Sequence, residues 1–143
     1  MAKKKKRKKK TENAILKDEW IDTFQMYIRW RDKWTCITCG LTVDPTSETS
    51  KRDMHAGHFI GRNILALLTD EENVNAQCSS CNGKEHWNEN KEPYRNALIC
   101  KYGDDIIDKL MMRKNIIKKF TKQSKLDDIS NWNKMIEQYK EMY

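Results

Sequence analysis

Apolar side chains recur every three or four residues in three parts of the chain, which is the spacing of helices that pack one face on a core. The first part predicts an amphipathic helix over residues 13–33, and the second predicts a helix that starts near residue 106. A last helix is expected from Ser130, whose hydroxyl can cap it. The apolar positions are Ile21, Phe24, Tyr27 and Ile28 in the first helix, Ile106, Ile107, Leu110, Met111, Ile117 and Phe120 in the second, and Trp132, Met135, Ile136, Tyr139 and Tyr143 in the third.

Turn-forming residues and alternation predict shorter elements between these helices. Pro93 suits the first turn of a helix and Gly103 the position after its end, so residues 93–102 are expected to form a short helix. Residues 40–52 form a polar loop, and residues 53–61 alternate enough to predict a strand pair or hairpin. The pattern therefore predicts an α+β protein with a small central part between N- and C-terminal helices.

The positive charge of the chain is concentrated at its N-terminus. Of the 28 Lys and Arg residues, eight are consecutive, so the rest of the chain carries 20 basic against 21 acidic residues. A block of like charges repels itself and buries nothing, so we expect residues 1–11 to be a disordered tail ahead of one domain, 12–143. Such a tail can neutralise phosphates of nucleic acid; a solubility tail or an address signal is the alternative. The eight residues are Lys3, Lys4, Lys5, Lys6, Arg7, Lys8, Lys9 and Lys10.

Four cysteines form two C-x-x-C pairs, Cys36/Cys39 and Cys78/Cys81. Thiolates at this spacing can reach one tetrahedral Zn²⁺, and two pairs complete a structural site with no open position. A disulfide framework is the alternative. The chain shows no signal peptide and no apolar stretch of membrane-spanning length, which favours a cytoplasmic protein without a membrane partner, and therefore zinc. Cys100 lies in an apolar run and is expected to be a buried thiol outside this site.

The residues suited to catalysis lie between the two pairs and directly after the second. A metal-assisted phosphodiesterase needs one group that deprotonates water and a divalent ion that stabilises the departing oxygen. His58 is our candidate for the base, because a neutral imidazole suits that role near pH 7. We expect Asn73 to orient this imidazole through its side-chain amide and Asn82 to offer its carbonyl oxygen to the ion.

The order of these residues resembles the HNH (His-Asn-His) endonuclease motif and, more closely, the NinG (Rap) recombination proteins of tailed phages. The likeness covers roughly residues 20–143 and is weaker towards the C-terminus. The resemblance implies a small ββα-metal core with a treble-clef-like zinc knuckle made by the four paired cysteines. It also implies cleavage of branched DNA such as displacement loops and Holliday junctions, with structural Zn²⁺ and catalytic Mg²⁺ or Mn²⁺. The matching segments are 27–32, 36–40, 56–59, 73–78, 81–82, Asn90, Tyr94 and Arg95.

One position departs from the broader HNH pattern. Many HNH relatives carry an aspartate directly before the base, where this chain has Gly57. A further ligand of the catalytic ion must then come from elsewhere, and we rank His55 above Asp53 and His86 as the partner of Asn82. His55 stands where NinG-like sequences often carry an acidic residue. For each candidate the alternative is an exposed polar side chain without a role.

Three functions follow from these patterns. The first is a DNA endonuclease that acts on recombination intermediates, and the second is a zinc-knuckle DNA-binding protein that has lost its catalytic ion with Gly57. The third is an RNA-directed nuclease, because no element reads a 2′-hydroxyl or a DNA base. Two symmetric cuts in a junction would need two active sites. A homodimer is therefore a further expectation. The stripe from Trp132 to Tyr143 could form the contact between the two copies, or it could instead close a helical core within one chain.

Overall fold

The computed structural model describes residues 2–3, 5–83 and 91–143 and has the expected α+β architecture. None of the helices in these ranges has the length and apolar composition needed to cross a bilayer. The elements in chain order are α1 (Glu12–Arg31), α2 (Ser50–Asp53), β1 (Met54–His58), a 3-10 turn (Leu65–Leu67), β2 (Val74–Cys78), α3 (Ser79–Asn82), α4 (Glu92–Tyr102), α5 (Ile106–Lys114) and α6 (Lys122–Glu141).

The first helix, α1, confirms the helix predicted over 13–33 and carries much of the core. It begins behind Thr11, whose Oγ1 accepts a hydrogen bond from the Ala14 amide at 3.2 Å. The helix ends at Arg31 because Lys33 and Trp34 adopt left-handed backbone angles that an α-helix does not contain. Its fully buried apolar side chains are Trp20, Phe24 and Ile28.

The last helix, α6, packs along α1: Ile136 of its apolar stripe is buried, Trp132 and Tyr139 are partly buried, and Tyr143 beyond the helix is 66 % exposed. The Trp132 ring lies 5.0 Å from that of Phe24, and the Tyr143 ring meets that of Trp30 edge-on at 5.7 Å, between ring centroids. Of the two roles expected for this stripe, the described structure shows the intramolecular core. The expected cap at Ser130 is wrong: α6 begins at Lys122 behind Thr121.

The helix expected over residues 106–120 is shorter than predicted. It is present as α5 but ends at Lys114, and Ile117 beyond it is 90 % exposed. The apolar residues after Lys114 therefore do not continue the buried face of α5. By contrast, α4 matches its prediction, with Pro93 in the first turn and Gly103 as C-cap at a φ of 103°.

A two-stranded antiparallel sheet connects the helices to the cysteines. Strand β1 lies within the predicted segment 53–61, but it pairs with β2 rather than with a strand of that segment, so the predicted local hairpin is wrong. The intervening residues 59–73 fold as a separate loop held by Asn73. The pairing places His55 opposite Gln77 and Gly57 opposite Asn75. Because β2 ends at Cys78, the sheet brings the second cysteine pair beside the histidines of β1.

Candidate metal centre and active site

The four paired cysteines converge on one point, as their spacing predicts. All four Sγ atoms lie within 4.8 Å of one another, and the Sγ atoms of Cys39 and Cys78 are 3.7 Å apart. Sulfurs bound tetrahedrally at about 2.3 Å from zinc would be about 3.8 Å apart. The thiols are free rather than paired in disulfides. The cluster could therefore hold a metal ion, and its donor set and spacing fit a structural Zn²⁺.

Backbone hydrogen bonds fold the first pair into a tight knuckle on the edge of β2. The Gly40 amide donates to the Cys36 carbonyl at 2.9 Å, and Gly40 has the positive φ, 78°, that this reversal requires. The Ile37 amide donates to the Ala76 carbonyl at 2.8 Å, which joins the knuckle to β2. The two cysteine pairs are thereby held together through backbone contacts as well as through the ligand cluster.

The environment of the thiols favours a cation. Burial, together with neighbouring thiols, raises the pKa of Cys81, so several thiolates persist side by side only if a positive charge compensates them. Cys100 is outside this cluster, as expected, but the prediction that it is buried is wrong. It lies on the solvent side of α4 and is exposed, because the helix turns its apolar neighbour Leu98 inward instead.

His58 ends β1 and has a fixed tautomer when neutral. Its Nε2 lies 2.8 Å from the Leu68 carbonyl oxygen, which can only accept, so Nε2 carries the proton and Nδ1 is the basic atom. Burial lowers the pKa of His58, and the charges of Arg62 and Lys91 lower it further, against the opposing effect of the Leu68 hydrogen bond. The imidazole is therefore neutral near pH 7, as a general base must be.

His55 lies in β1 and Asn82 is the last residue of α3, and their side chains are in contact. The His55 Nε2 atom lies 2.8 Å from the Arg52 carbonyl oxygen, so in the neutral ring Nε2 carries the proton and Nδ1 has the free lone pair. The Asn82 Nδ2 atom lies 3.0 Å from this Nδ1. Asn82 follows Cys81 directly, so the cysteine cluster fixes the position of its amide next to β1.

Asn73 does not contact the His58 imidazole as predicted. Its fully buried side chain accepts a hydrogen bond from the Ile60 amide at 2.8 Å and donates to the carbonyls of Ile60 and Leu67 at 3.0 Å each. Backbone groups in the loop thus take up its hydrogen-bonding capacity. Asn73 supports His58 only indirectly, by folding the loop that carries the carbonyl of Leu68.

Of the two lower-ranked ion candidates, Asp53 lies away from this site and His86 is not described. The Asp53 carboxylate accepts a hydrogen bond from Thr49 Oγ1 at 2.6 Å and pairs with Arg52 at 3.4 Å, outside the cleft that holds His55. His86 lies outside the described residues, as do Lys84 and Asn90.

A cleft of about 490 Å³ brings the predicted residues together with three cations that the sequence interpretation missed. Arg29 donates from Nε to the Met54 carbonyl at 2.7 Å, and Lys91 donates from Nζ to the Phe59 carbonyl at 2.8 Å. These cations come from α1, the loop after β1 and the start of α4, so they are brought together only by the fold. Of the three, only Arg29 lies in a segment whose sequence resembles that of the phage recombination proteins. The described lining residues are Gln25, Arg29, His55, Ala56, His58, Gly61, Arg62, Asn82 and Lys91, none of them acidic.

The basic tail leads towards this cleft. Residues 2–3 and 5–11 have no helix or strand and are exposed, and Lys4 lies outside the described residues. The Nζ of Lys10 lies 2.5 Å from the Asp18 carboxylate of α1. Lys10 and Arg62 line an adjoining cleft of about 480 Å³, and Arg62 belongs to both clefts. The two clefts therefore connect the end of the tail with His58, and the second has mixed charge because Asp18 and Asp22 also line it.

The two-stranded sheet, the four-cysteine knuckle and the cation-lined cleft define the chain as a small α+β protein with a cluster of cysteines that could hold a metal ion. The family model described as "NinG: Bacteriophage Lambda NinG protein" matches residues 1–141, and the chain belongs to this family. It is 35 % identical over 104 residues to "Protein ninG" of Escherichia phage 933W and 34 % identical over 104 residues to that of Escherichia phage lambda. Each match covers 67 % of this chain and 46 % of the relative, so the chain spans under half of their length. No solved structure matches the chain.

Proposed function

We propose that this chain is a metal-dependent DNA endonuclease of the HNH type that cleaves branched recombination intermediates, such as displacement loops and Holliday junctions, in the cytoplasm of the host cell. One observation carries the proposal: His55, His58 and Asn82 line one cleft together with cations and no described acidic residue. The order of β1, β2 and α3 around the cysteine cluster is consistent with a ββα core. A structural Zn²⁺ in that cluster would hold the core together.

His58 is the proposed general base. Its unprotonated Nδ1 takes the proton of a water molecule, and the imidazolium that forms keeps its Nε2 hydrogen bond to the Leu68 carbonyl. That hydrogen bond strengthens when the ring becomes charged, because the donor is then cationic. Leu68 therefore both orients the ring and stabilises its protonated state.

The donor set beside His58 suits a divalent ion. A bound Mg²⁺ or Mn²⁺ would stabilise the charge on the phosphate and on the departing oxygen. We assign His55 and Asn82 to this ion, because Nδ1 of His55 and the amide of Asn82 are 3.0 Å apart and face the cleft from two elements. Binding of the ion would replace the hydrogen bond between Asn82 Nδ2 and His55 Nδ1, because the ion needs the lone pair of Nδ1 and the Oδ1 atom of the amide.

The cations of the cleft bind the substrate. Arg29, Arg62 and Lys91 offer positive charge to a phosphate backbone without reading base edges. Arg29 and Lys91 are held by backbone carbonyls, so their charges stay in place when the cleft is empty of DNA. This arrangement binds a phosphodiester next to the base and the ion ligands.

Cleavage by the purified protein tests the proposal. We expect protein with one bound zinc and added Mg²⁺ or Mn²⁺ to cut labelled four-way junctions and displacement loops in preference to linear duplex and to RNA of the same sequence. EDTA at a concentration that leaves the zinc in place should abolish the cuts. Protein that shifts these substrates on a gel but leaves them uncut would instead be the non-catalytic DNA-binding protein.

A further inference from the structure

The side chain of Gln77 fills the space that a side chain at position 57 would need. A Cβ atom built at Gly57 would overlap the Oε1 atom of Gln77 and would lie 2.9 Å from its Cδ and 3.0 Å from Asn82 Oδ1. The strand cannot move aside easily, because the Tyr94 hydroxyl donates to the Gly57 carbonyl at 2.6 Å. Gly57 therefore leaves room for two amide side chains, of which Asn82 is already assigned to the ion.

Gln77 is a buried polar side chain with one fixed end. It is 3 % exposed, stands opposite His55 in the sheet and donates from Nε2 to Thr38 Oγ1 at 2.9 Å. This hydrogen bond directs Oε1 towards the space over Gly57. The Oε1 atom is not among the described side-chain atoms that are sealed from solvent without a partner, so a water molecule or a cation can reach it.

Two side-chain oxygens that can accept or coordinate, Gln77 Oε1 and Asn82 Oδ1, face this space. The NH₂ group of Asn82 satisfies His55. Within the described parts of the chain, no donor is hydrogen-bonded to either of the two oxygens. Gln77, Asn82, His58 and the cationic Lys91 also line a cavity of about 20 Å³, which is large enough for one water molecule or one ion. Carbonyl oxygens that converge in this way are typical ligands of a hard divalent cation.

We propose that Gln77 is a third protein ligand of the divalent ion assigned to His55 and Asn82, and that its Oε1 atom replaces the side chain that residue 57 lacks. The inference rests on the proposed function and deepens it. It accounts for Gly57 and for the buried glutamine together: an acidic residue at position 57 and Gln77 would compete for one place, so the chain carries only one of them.

The affinity for Mn²⁺, measured on protein already loaded with one zinc, tests this assignment without cleavage. Free Mn²⁺ can be followed by electron paramagnetic resonance. We expect Gln77→Ala to weaken binding by about tenfold or more. Gln77→Glu should bind at least as tightly as the wild type, because a carboxylate oxygen can replace the amide oxygen at the ion. Gln138→Ala, at an exposed glutamine of α6 outside the cleft, is the control and should leave affinity unchanged.

The outcomes separate this inference from the proposed function. If Asn82→Ala abolishes Mn²⁺ binding but Gln77→Ala does not change it, the assignment of Gln77 is wrong and the ion site stands. If Gln77→Glu loses affinity as Gln77→Ala does, Gln77 acts by donating from its NH₂ group and is not a ligand. If the wild type binds no Mn²⁺, both proposals are overturned.

A reciprocal pair of variants covers the case in which Gln77→Ala does not fold. Gly57→Ala retains Gln77 but displaces its oxygen, so it should lower Mn²⁺ affinity while zinc content stays at one per chain. The double variant Gly57→Asp/Gln77→Ala should recover affinity, since the new carboxylate takes the vacated place. Unchanged Mn²⁺ affinity in Gly57→Ala would show that the Gln77 oxygen has no part in binding the ion.

Discussion

At the scale of single residues, backbone carbonyls determine what the side chains of the cleft can do. The carbonyls of Arg52 and Leu68 accept from Nε2 of His55 and His58, respectively, and so leave each Nδ1 unprotonated. This information is absent from the sequence, which contains the histidines but not their partners. The same limit explains the error at Asn73, whose type and position suggested a contact with His58 although its amide bonds the backbone of the loop.

The pH dependence of cleavage follows from the pKa of His58. Burial and the nearby cations lower this pKa below its ordinary value of 6.5, so the basic form persists as the pH falls to that value. Single-turnover rates at saturating metal should therefore decline only below about pH 6.5. Arg62→Gln removes one of the charges and should move the acid limb upward. An acid limb above pH 6.5 in the wild type would contradict the assigned environment of the base.

At the scale of secondary structure elements, terminal residues and local apolar patterns made α1 and α4 predictable. The pairing of β1 with β2 was not, because the strands are separated by a folded loop and no turn motif joins them directly. The cysteine cluster was predicted from spacing alone, since four thiols in two C-x-x-C pairs have few other uses. The cations of the cleft were missed because three separate elements supply them.

The knuckle depends on each of its four ligands. Cys78→Ser should lose bound zinc and unfold the segment around the sheet, because the metal contributes directly to the stability of so small a core. Elemental analysis and circular dichroism measure the two effects. Cys100→Ser is the matched control and should keep both zinc and fold, since Cys100 is exposed on α4. Zinc near one equivalent in Cys78→Ser would exclude the four-thiolate site.

The packing of α6 on α1 makes a separate prediction about stability. Ile136 is 5 % exposed within the core that α6 shares with α1, so Ile136→Ala should lower the free energy of unfolding by about 2–5 kcal/mol. Leu126 lies on the same helix but is 41 % exposed, and Leu126→Ala should change stability by about 0.5 kcal/mol or less. Urea unfolding followed by tryptophan fluorescence measures both. Equal effects would show that α6 does not pack on α1 through this face.

At the scale of the whole molecule, positive charge lies in two places. One is the N-terminal tail, which can contact phosphates of any DNA sequence, and the other is the cleft, where the fold fixes the positions of the cations. The tail precedes α1 as exposed chain, whereas the cleft cations are fixed by backbone contacts. The tail should therefore contribute affinity and the folded body should contribute selectivity. A homodimer that makes paired cuts stays a prediction. Within the stripe on α6, Ile136 is buried inside the molecule, whereas Tyr143 is 66 % exposed and accessible to a second copy.

Deleting residues 1–10 tests this division. Each phosphate contact contributes about −0.9 to the slope of log affinity against log salt on B-DNA. If half of the eight basic residues contact phosphate together, deletion should flatten the slope by roughly 3 to 4. The measurement is a salt titration on a junction and on linear duplex with both proteins. Preference for the junction should survive; its loss, or an unchanged slope, would contradict the assigned roles.

The central claim is that His58 acts as the general base of a nuclease, and cleavage of a four-way junction by His58→Ala tests it most directly. Single-turnover rates should fall by about 10²-fold or more, because the loss of a general base raises the barrier of the chemical step. Junction affinity, zinc content and Mn²⁺ affinity should stay close to those of the wild type, and Gln138→Ala, at an exposed position of α6, should cleave normally. A His58→Ala variant that cuts the junction at the wild-type rate would contradict the account.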